Sequence, residues 1–302
     1  MPLTADGNER LDRFVARKMP DYSRTRIVQA IKQGEVKVEG KVITKPSHEL
    51  KPDQIIEVGK IPEPEPHNLE PADIPLDVRY EDDYMLVVNK PRGMSSHPAP
   101  GLAPTTLVNA LLFRSHDLSQ AAGEFRPGIV HRLDKATTGL MLVAKNDFAH
   151  RKLADQIKEK TAERRYFAIV KGTPEHKVFK IDAPIGRHPG IPTLMAVRDT
   201  GKQAVTHIKT ITRLEQGTLV ACRLETGRTH QIRVHLSSFG HPIKGDPQYS
   251  KLPWSSGPLQ LHAAYLSFDR PDTGARLTVY AEPPHDFVGR DDSTREDVEN
   301  WA

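Results

Sequence analysis

An α+β chain in two parts is what the 302-residue sequence predicts, and three observations carry that reading. Apolar strand-like runs at 84–88, 140–144, 166–170, 205–212 and 218–224 are mixed with helix-periodic segments near 105–114, 148–159 and 229–239. A smaller set of helix and strand signals occupies 10–58 on its own. Between them runs Ile61-Pro62-Glu63-Pro64-Glu65-Pro66-His67, where proline and glutamate alternate, remove backbone donors and resist a packed core. The expected division is a small domain at 1–60, a stiff linker at 61–71, a large domain at 72–285 and a loose polar tail at 286–302.

In the small domain Leu11, Phe14 and Val15 recur at helical spacing. Ser23 stands as an N-cap before Ile27, Ala30 and Ile31, and Gly34 stops that second helix. Val36-Lys37-Val38, a Glu39-Gly40 turn, Val42-Ile43 and Ile55 to Val58 read as the strands that follow. Arg24, Arg26 and Lys32 give the second helix a basic side, suited to phosphate contact or simply to water.

Composition sets the outer limits. Lysine and arginine number 43 against 39 acidic residues, a formal charge of +4 that leans mildly toward polyanions. The single cysteine, Cys222, lies in an apolar run and rules out a disulfide framework within the chain. No apolar stretch approaches the ~20 residues of a membrane span, and the first residues lack a secretion pattern, so a soluble cytoplasmic protein is expected. A phosphate-cradling Gly-x-x-x-x-Gly-Lys loop, a Gly-x-Gly-x-x-Gly fingerprint and a Cys-x-x-Cys pair are all missing, and no cofactor is expected. Nor is a metal, because the five-residue spacing of His230 and His235 puts them on different helix faces.

The chemistry concentrates at Gly128-Ile129-Val130-His131-Arg132-Leu133-Asp134-Lys135-Ala136-Thr137-Thr138-Gly139-Leu140. One carboxylate, Asp134, stands between Arg132 and Lys135 just before an apolar strand, and those cations favour its ionised form. Taken alone, an Arg-x-Asp is more often a capped turn with a surface ion pair. Further along, Tyr166 opens an apolar strand, and Arg233 follows Ile232 in a helix whose buried face is marked by Ile232, Leu236 and Phe239. The stem of Arg233 can lie along that face and carry its guanidinium inward. Arg228, just ahead of the helix, could cap, pair or bind a polyanion.

These runs, with Asn89-Lys90-Pro91-Arg92-Gly93, Arg165-Tyr166, Thr226-Gly227-Arg228-Thr229-His230-Gln231-Ile232-Arg233 and Gly245-Asp246 in the same order, resemble the RluA/RluD family of RNA pseudouridine synthases over roughly residues 72–285. The resemblance implies a central mixed, largely antiparallel sheet with flanking helices and a cleft, and isomerisation of uridine to pseudouridine in RNA. It also implies site roles: Asp134 as the catalytic carboxylate, Tyr166 stacking on the uracil and placed to take its ring proton, Arg233 pairing with Asp134, and Arg132 filling the place of an extruded base. Residues 10–58, through Arg10-Leu11-Asp12, Ser23 to Arg26 and Gly34 to Lys41, resemble the αL RNA-binding domain of the ribosomal protein S-four kind. Pro184 to Pro189 and Met195 to Val197 are similar to the RluD-type branch and favour large-subunit ribosomal RNA, free or in a nascent particle, as partner. Two positions depart from the family pattern, Ala136 and the run Phe268-Asp269-Arg270-Pro271. The alternatives are a non-catalytic RNA-binding assembly factor on the same fold and a hydrolase, which would ordinarily want a second carboxylate.

Overall fold

The computed structural model describes residues 2–22, 24–62, 69–98, 103–115, 117–123, 125–287 and 294–300. Ser23, expected as an N-cap, and most of the Pro/Glu run lie outside them. The chain divides into two compact units, Met1–Pro66 and His67–Ala302.

The first unit contains β1 (Pro2–Thr4), β2 (Glu9–Arg10), α1 (Leu11–Lys18), α2 (Arg24–Lys32), β3 (Val36–Val38), β4 (Lys41–Val42), β5 (Glu49–Leu50) and β6 (Ile55–Val58). Strands β1-β6-β3-β4 form one sheet and β2 pairs with β5. Leu11, Phe14 and Val15 of α1 meet Ile27, Ala30 and Ile31 of α2 over Val36, Val38 and Ile56. Each buried Leu, Ile or Phe there contributes roughly 1.5–3 kcal/mol. Asp12, on the same helix as Leu11, is also buried and accepts from Arg10 Nε at 3.0 Å and Arg24 Nε at 3.1 Å. Burial alone would raise its pKa, but the bonds from Arg24 and Arg10 prevail and hold it below the usual carboxylate range.

In the second unit the elements run β7 (Asp77–Glu81), β8 (Met85–Lys90), α3 (Leu107–Arg114), β9 (Thr138–Ala144), α4 (Asp147–Glu159), β10 (Glu163–Val170), β11 (Val178–Asp182), β12 (Ile185–Arg187), β13 (Met195–Val197), β14 (Val205–Leu214), β15 (Gly217–Leu224), α5 (Gln231–Ser238), β16 (Leu261–Asp269), β17 (Arg276–Tyr280) and α6 (Thr294–Glu299). Nine strands form one sheet in the order β11-β14-β15-β10-β16-β9-β8-β7, with β17 also on β16. Every pairing in it is antiparallel except that of β9 with β16. β9 takes the first part of that edge of β16, at His262 and Ala263, and β17 takes Tyr265 to Asp269. At this seam Gly139 has φ +114°, and a Cβ there would stand 2.3 Å from the carbonyl oxygen of Ala263, so only glycine fits.

Two expectations need correction. The tail is not loose throughout: α6 buries Val298 against the face built by Phe167, Ile169 and Leu219, and Arg165 Nη1 donates to the Val298 carbonyl at 2.6 Å. Phe239 does not extend the buried face of α5, because the helix ends at Ser238 and Phe239 turns out to solvent, 52% exposed. Instead α5 is buried almost all round, with Ile232, Arg233, Val234, His235 and Leu236 below a tenth exposed.

Candidate active site

Asp134 lies in the turn leading into β9, where the backbone N–H of Thr137 donates to its carbonyl at 3.1 Å. That turn is fastened from below by Lys90 at the end of β8. Its buried ammonium donates to the carbonyls of Pro91 at 2.9 Å and Met94 at 3.0 Å, and reaches that of Lys135 at 3.4 Å. Burial pulls the Lys90 pKa down to about 7, with the charge of Asp134 acting the other way. Ser96 adds a second fastening, donating to the Leu133 carbonyl at 2.9 Å.

The cation hydrogen-bonded to Asp134 is Arg233, the residue that the resemblance pairs with it, and not the sequence neighbours Arg132 and Lys135. Both side chains are exposed, and Arg233 Nη1 donates to Asp134 Oδ2 at 3.0 Å across 99 residues. Arg233 is itself locked: Nε and Nη2 donate to Asp246 Oδ2 and Oδ1 at 2.8 and 2.9 Å, and Nη2 donates to Gln248 Oε1 at 2.7 Å. Asp246 is fully buried, whereas the Asp134 side chain stays 18% exposed. One guanidinium thus spends its bidentate face on an enclosed carboxylate and one N–H on an open carboxylate. Burial disfavours the charge on Arg233, but the two carboxylates outweigh it and raise its pKa.

Tyr166 enters from β10, buried and on the wall of the same cleft as Asp134 and Arg233. Burial pushes its phenol pKa up, Asp134 and Cys222 push the same way and Arg164 opposes them. His230 precedes α5 in a left-handed conformation, φ 56°, with Nδ1 at 2.7 Å from the Tyr249 hydroxyl and Nε2 at 3.9 Å from Asp134 Oδ2. The cleft holds about 450 Å³, within the range of small-ligand sites. Arg132 and Arg228 stand exposed on its lining, Arg228 with Nε on the Gln203 carbonyl at 3.0 Å.

The remaining expected RNA contacts belong to the first unit. Arg24 is half exposed and paired with Asp12, Arg26 stacks 4.9 Å from the Tyr22 ring centroid and donates to the Pro62 carbonyl, and Lys32 is exposed. His131 accepts from the Leu142 N–H at 3.0 Å, and His262 bridges Thr138 and the Ala281 carbonyl at 2.8 and 2.9 Å. Of the departures from pattern, Ala136 packs against the main core and Arg270 pairs with Asp272 and Asp82 outside the cleft. Sequence reasoning missed Asp246, Gln248 and Lys90 as partners. The first two follow closely on Gly245, but their bonds to Arg233 exist only once the loop has closed on α5.

A single half-open carboxylate, gripped from behind and facing a tyrosine in a nucleotide-sized cleft, suits the class of enzymes that act on one nucleoside at a time. Residues 84–238 match the family model for RNA pseudouridylate synthase, and residues 9–56 match that of the S4 domain. An uncharacterized RNA pseudouridine synthase of Bacillus subtilis is 46% identical over 93% of this chain and 92% of its own length. Ribosomal large subunit pseudouridine synthase D of Zymomonas mobilis is 44% identical over 92% of this chain and 91% of its own. Human RNA Pseudouridylate Synthase Domain Containing 1 shares the fold, with a TM-score of 0.59 at 24% identity, over 78% of this chain and 98% of that one. The chain belongs to the RNA pseudouridine synthase family and is an isomerase acting on RNA, with an S4 domain at its N-terminal side. Among the described residues no helix is long and apolar enough to cross a membrane.

Proposed function

We propose that this protein isomerises uridines of large-subunit ribosomal RNA to pseudouridine, in the cytoplasm, with Asp134 as the catalytic carboxylate. One observation carries the reading: Asp134 is the carboxylate that Arg233 holds while leaving it open to a cleft shared with Tyr166. The reaction breaks the bond from ribose to a ring nitrogen, turns the base and joins ribose to a ring carbon. The ion pair keeps Asp134 ready either to attack the sugar or to take a proton from it. Tyr166, whose buried phenol stays neutral, offers the uracil a flat face. Arg132 fills the place of the extruded base, and Arg228 takes a phosphate at the rim. Arg24, Arg26 and Lys32 take phosphates through the S4 domain, on the far side of the Pro/Glu run in sequence. Ribosomal RNA is supported by the names of relatives such as that of Zymomonas mobilis.

The test is a map of pseudouridine by carbodiimide adducts and reverse-transcriptase stops on ribosomal RNA, comparing the intact protein with Asp134→Asn. Stops are expected to vanish in the variant while RNA binding persists. Stops that survive the substitution would refute the assignment, and release of free uracil would reveal a hydrolase.

A further inference from the structure

Arg164 is the second unit's anomaly. It is 5% exposed, yet among the described residues it makes no hydrogen bond, ion pair or ring contact, and its Nε is buried without a partner. Buried guanidinium groups are ordinarily paired, because an unpaired charge in a low-dielectric interior costs several kcal/mol. Arg233 shows how the same fold answers a buried guanidinium from within the protein: two carboxylates and an amide.

Its position explains what it is for. On β10 residues 164 and 166 share one face of the strand, and both line the cleft with Asp134. Arg165, between them, goes to the opposite face, where it bonds Glu163 and α6 and lies 4.4 Å from the Tyr265 ring centroid. Across the cleft, Gly227 leaves room for the guanidinium: a Cβ there would stand 2.9 Å from Arg164 Nη1. Burial lowers the Arg164 pKa, with the phenol of Tyr166 acting the other way, and the charge of Arg164 in turn bears on Tyr166 and on His131. The exposed rim already offers Arg132 and Arg228 for phosphates. Arg164 sits deeper, beside the surface assigned to the base.

We propose that Arg164 is a further catalytic residue, which donates N–H bonds to a carbonyl oxygen of the target uracil and holds the base while it is detached. This rests on the reading of Asp134 and Tyr166 given above. When the bond from C1′ to N1 breaks, its electron pair passes to the ring, and the detached uracil carries a negative charge spread over N1 and the carbonyl oxygens. C5 then bonds to C1′, its proton passes to a base in the cleft, and N1 takes up a proton, so no net proton is gained or lost. The guanidinium gives up no proton; it meets the charge where it develops, in a site with little water to screen it. The unpaired arginine of the cleft is thus a donor set in place for the detached base.

The test uses Arg164→Met and Arg164→Lys in the full chain, with single-turnover rate at saturating RNA, RNA affinity and thermal midpoint all measured. Arg164→Met is expected to lose about 10²-fold in rate, to keep its affinity, and to melt no lower than the parent, since it removes an uncompensated charge. Arg164→Lys should recover part of the rate. Weakened affinity with an unchanged saturated rate would make Arg164 a phosphate contact and overturn the proposal, as would an unchanged rate and affinity. A lower melting point in Arg164→Met would make it a structural arginine. Gly227→Ala serves as a second route, keeping Arg164 while crowding its guanidinium, and should slow the saturated rate; a full rate there counts against the contact. On the same RNA, an active Asp134→Asn with a dead Arg164→Met would sink the reading of Asp134 and not the base contact. A dead Asp134→Asn with a fully active Arg164→Met would sink the base contact alone.

Discussion

In the first unit a buried carboxylate, Asp12, is answered by two arginines from the surface, Arg10 and Arg24. In the second unit the buried partner is the cation: Arg233 is enclosed and two carboxylates come to it, one sealed and one facing a cleft. The polarity of the arrangement separates the jobs. Two exposed guanidinium groups around a sealed acid make a clamp, with their outer N–H groups left to solvent or a phosphate. A sealed guanidinium shared by two acids makes a lever, because fixing Asp246 bidentately dictates where its remaining N–H points and so where Asp134 must sit.

The sharpest way to break the comparison is to remove the sealed acid. Asp246→Ala should lower unfolding free energy by about 3–5 kcal/mol, since it strands a buried guanidinium, and a urea midpoint will show it. Asp134→Asn, which opens a half-exposed bond, should shift that midpoint far less despite abolishing product.

Acid provides the next largest effect. His262 is 1% exposed, and burial, aided by the charges of Arg79 and Arg92 and opposed by the Ala281 carbonyl, lowers its pKa to about 4. Its folded value lies below the ordinary 6.5, so the unfolded chain binds more protons between pH 6.5 and 4, and stability falls as pH drops through that window. The effect is on the order of 3 kcal/mol. His262→Asn should flatten the slope of the second unit's stability against pH, measured by urea titration at each pH. The first unit holds one histidine, the half-buried His48.

Asp12→Ala, the matching deletion in the first unit, should cost about 1.5–3 kcal/mol, the range of a charged hydrogen bond. It should leave the saturated rate of pseudouridine formation unchanged. The smallest effect is in salt: replacing Arg24, Arg26 and Lys32 by Ala should make log affinity less steep in log salt by about 0.7 for each phosphate no longer bound. An unchanged slope would return α2 to a merely solvated face.

Much of the centre was legible because its residues come in runs. Asp134, Tyr166 and Arg233 each sit in a segment whose wording carries meaning, and the structure brings all three to one cleft. Arg164 lies in such a run too and could have been found by strand parity with Tyr166; the adjacent Arg165 belongs to the recognisable pair with that tyrosine, although it faces away. The Arg233 partner of Asp134 was legible only through the resemblance, since charge spacing alone points to Arg132 and Lys135, which are near in sequence, while Arg233 is near in space. The main strands were found where apolar residues cluster. β7, β11 and β17 were missed because these strands pack on one side only, alternate exposed with covered residues and carry Asp77, Lys180 and Arg276 among them. β16 was missed although most of it is buried, for His262 and Ser267 interrupt its apolar run.

The parallel seam between β9 and β16 makes the large sheet depend on segments far apart in the chain. Strands β7 to β9 could pair as soon as they leave a ribosome, but the edge they must join is not made until residues near 263 emerge, more than a hundred positions later. A chain that stopped short of residue 261 would carry Asp134, Tyr166 and Arg233 but not β16, the strand that joins β9 to β10 in the sheet.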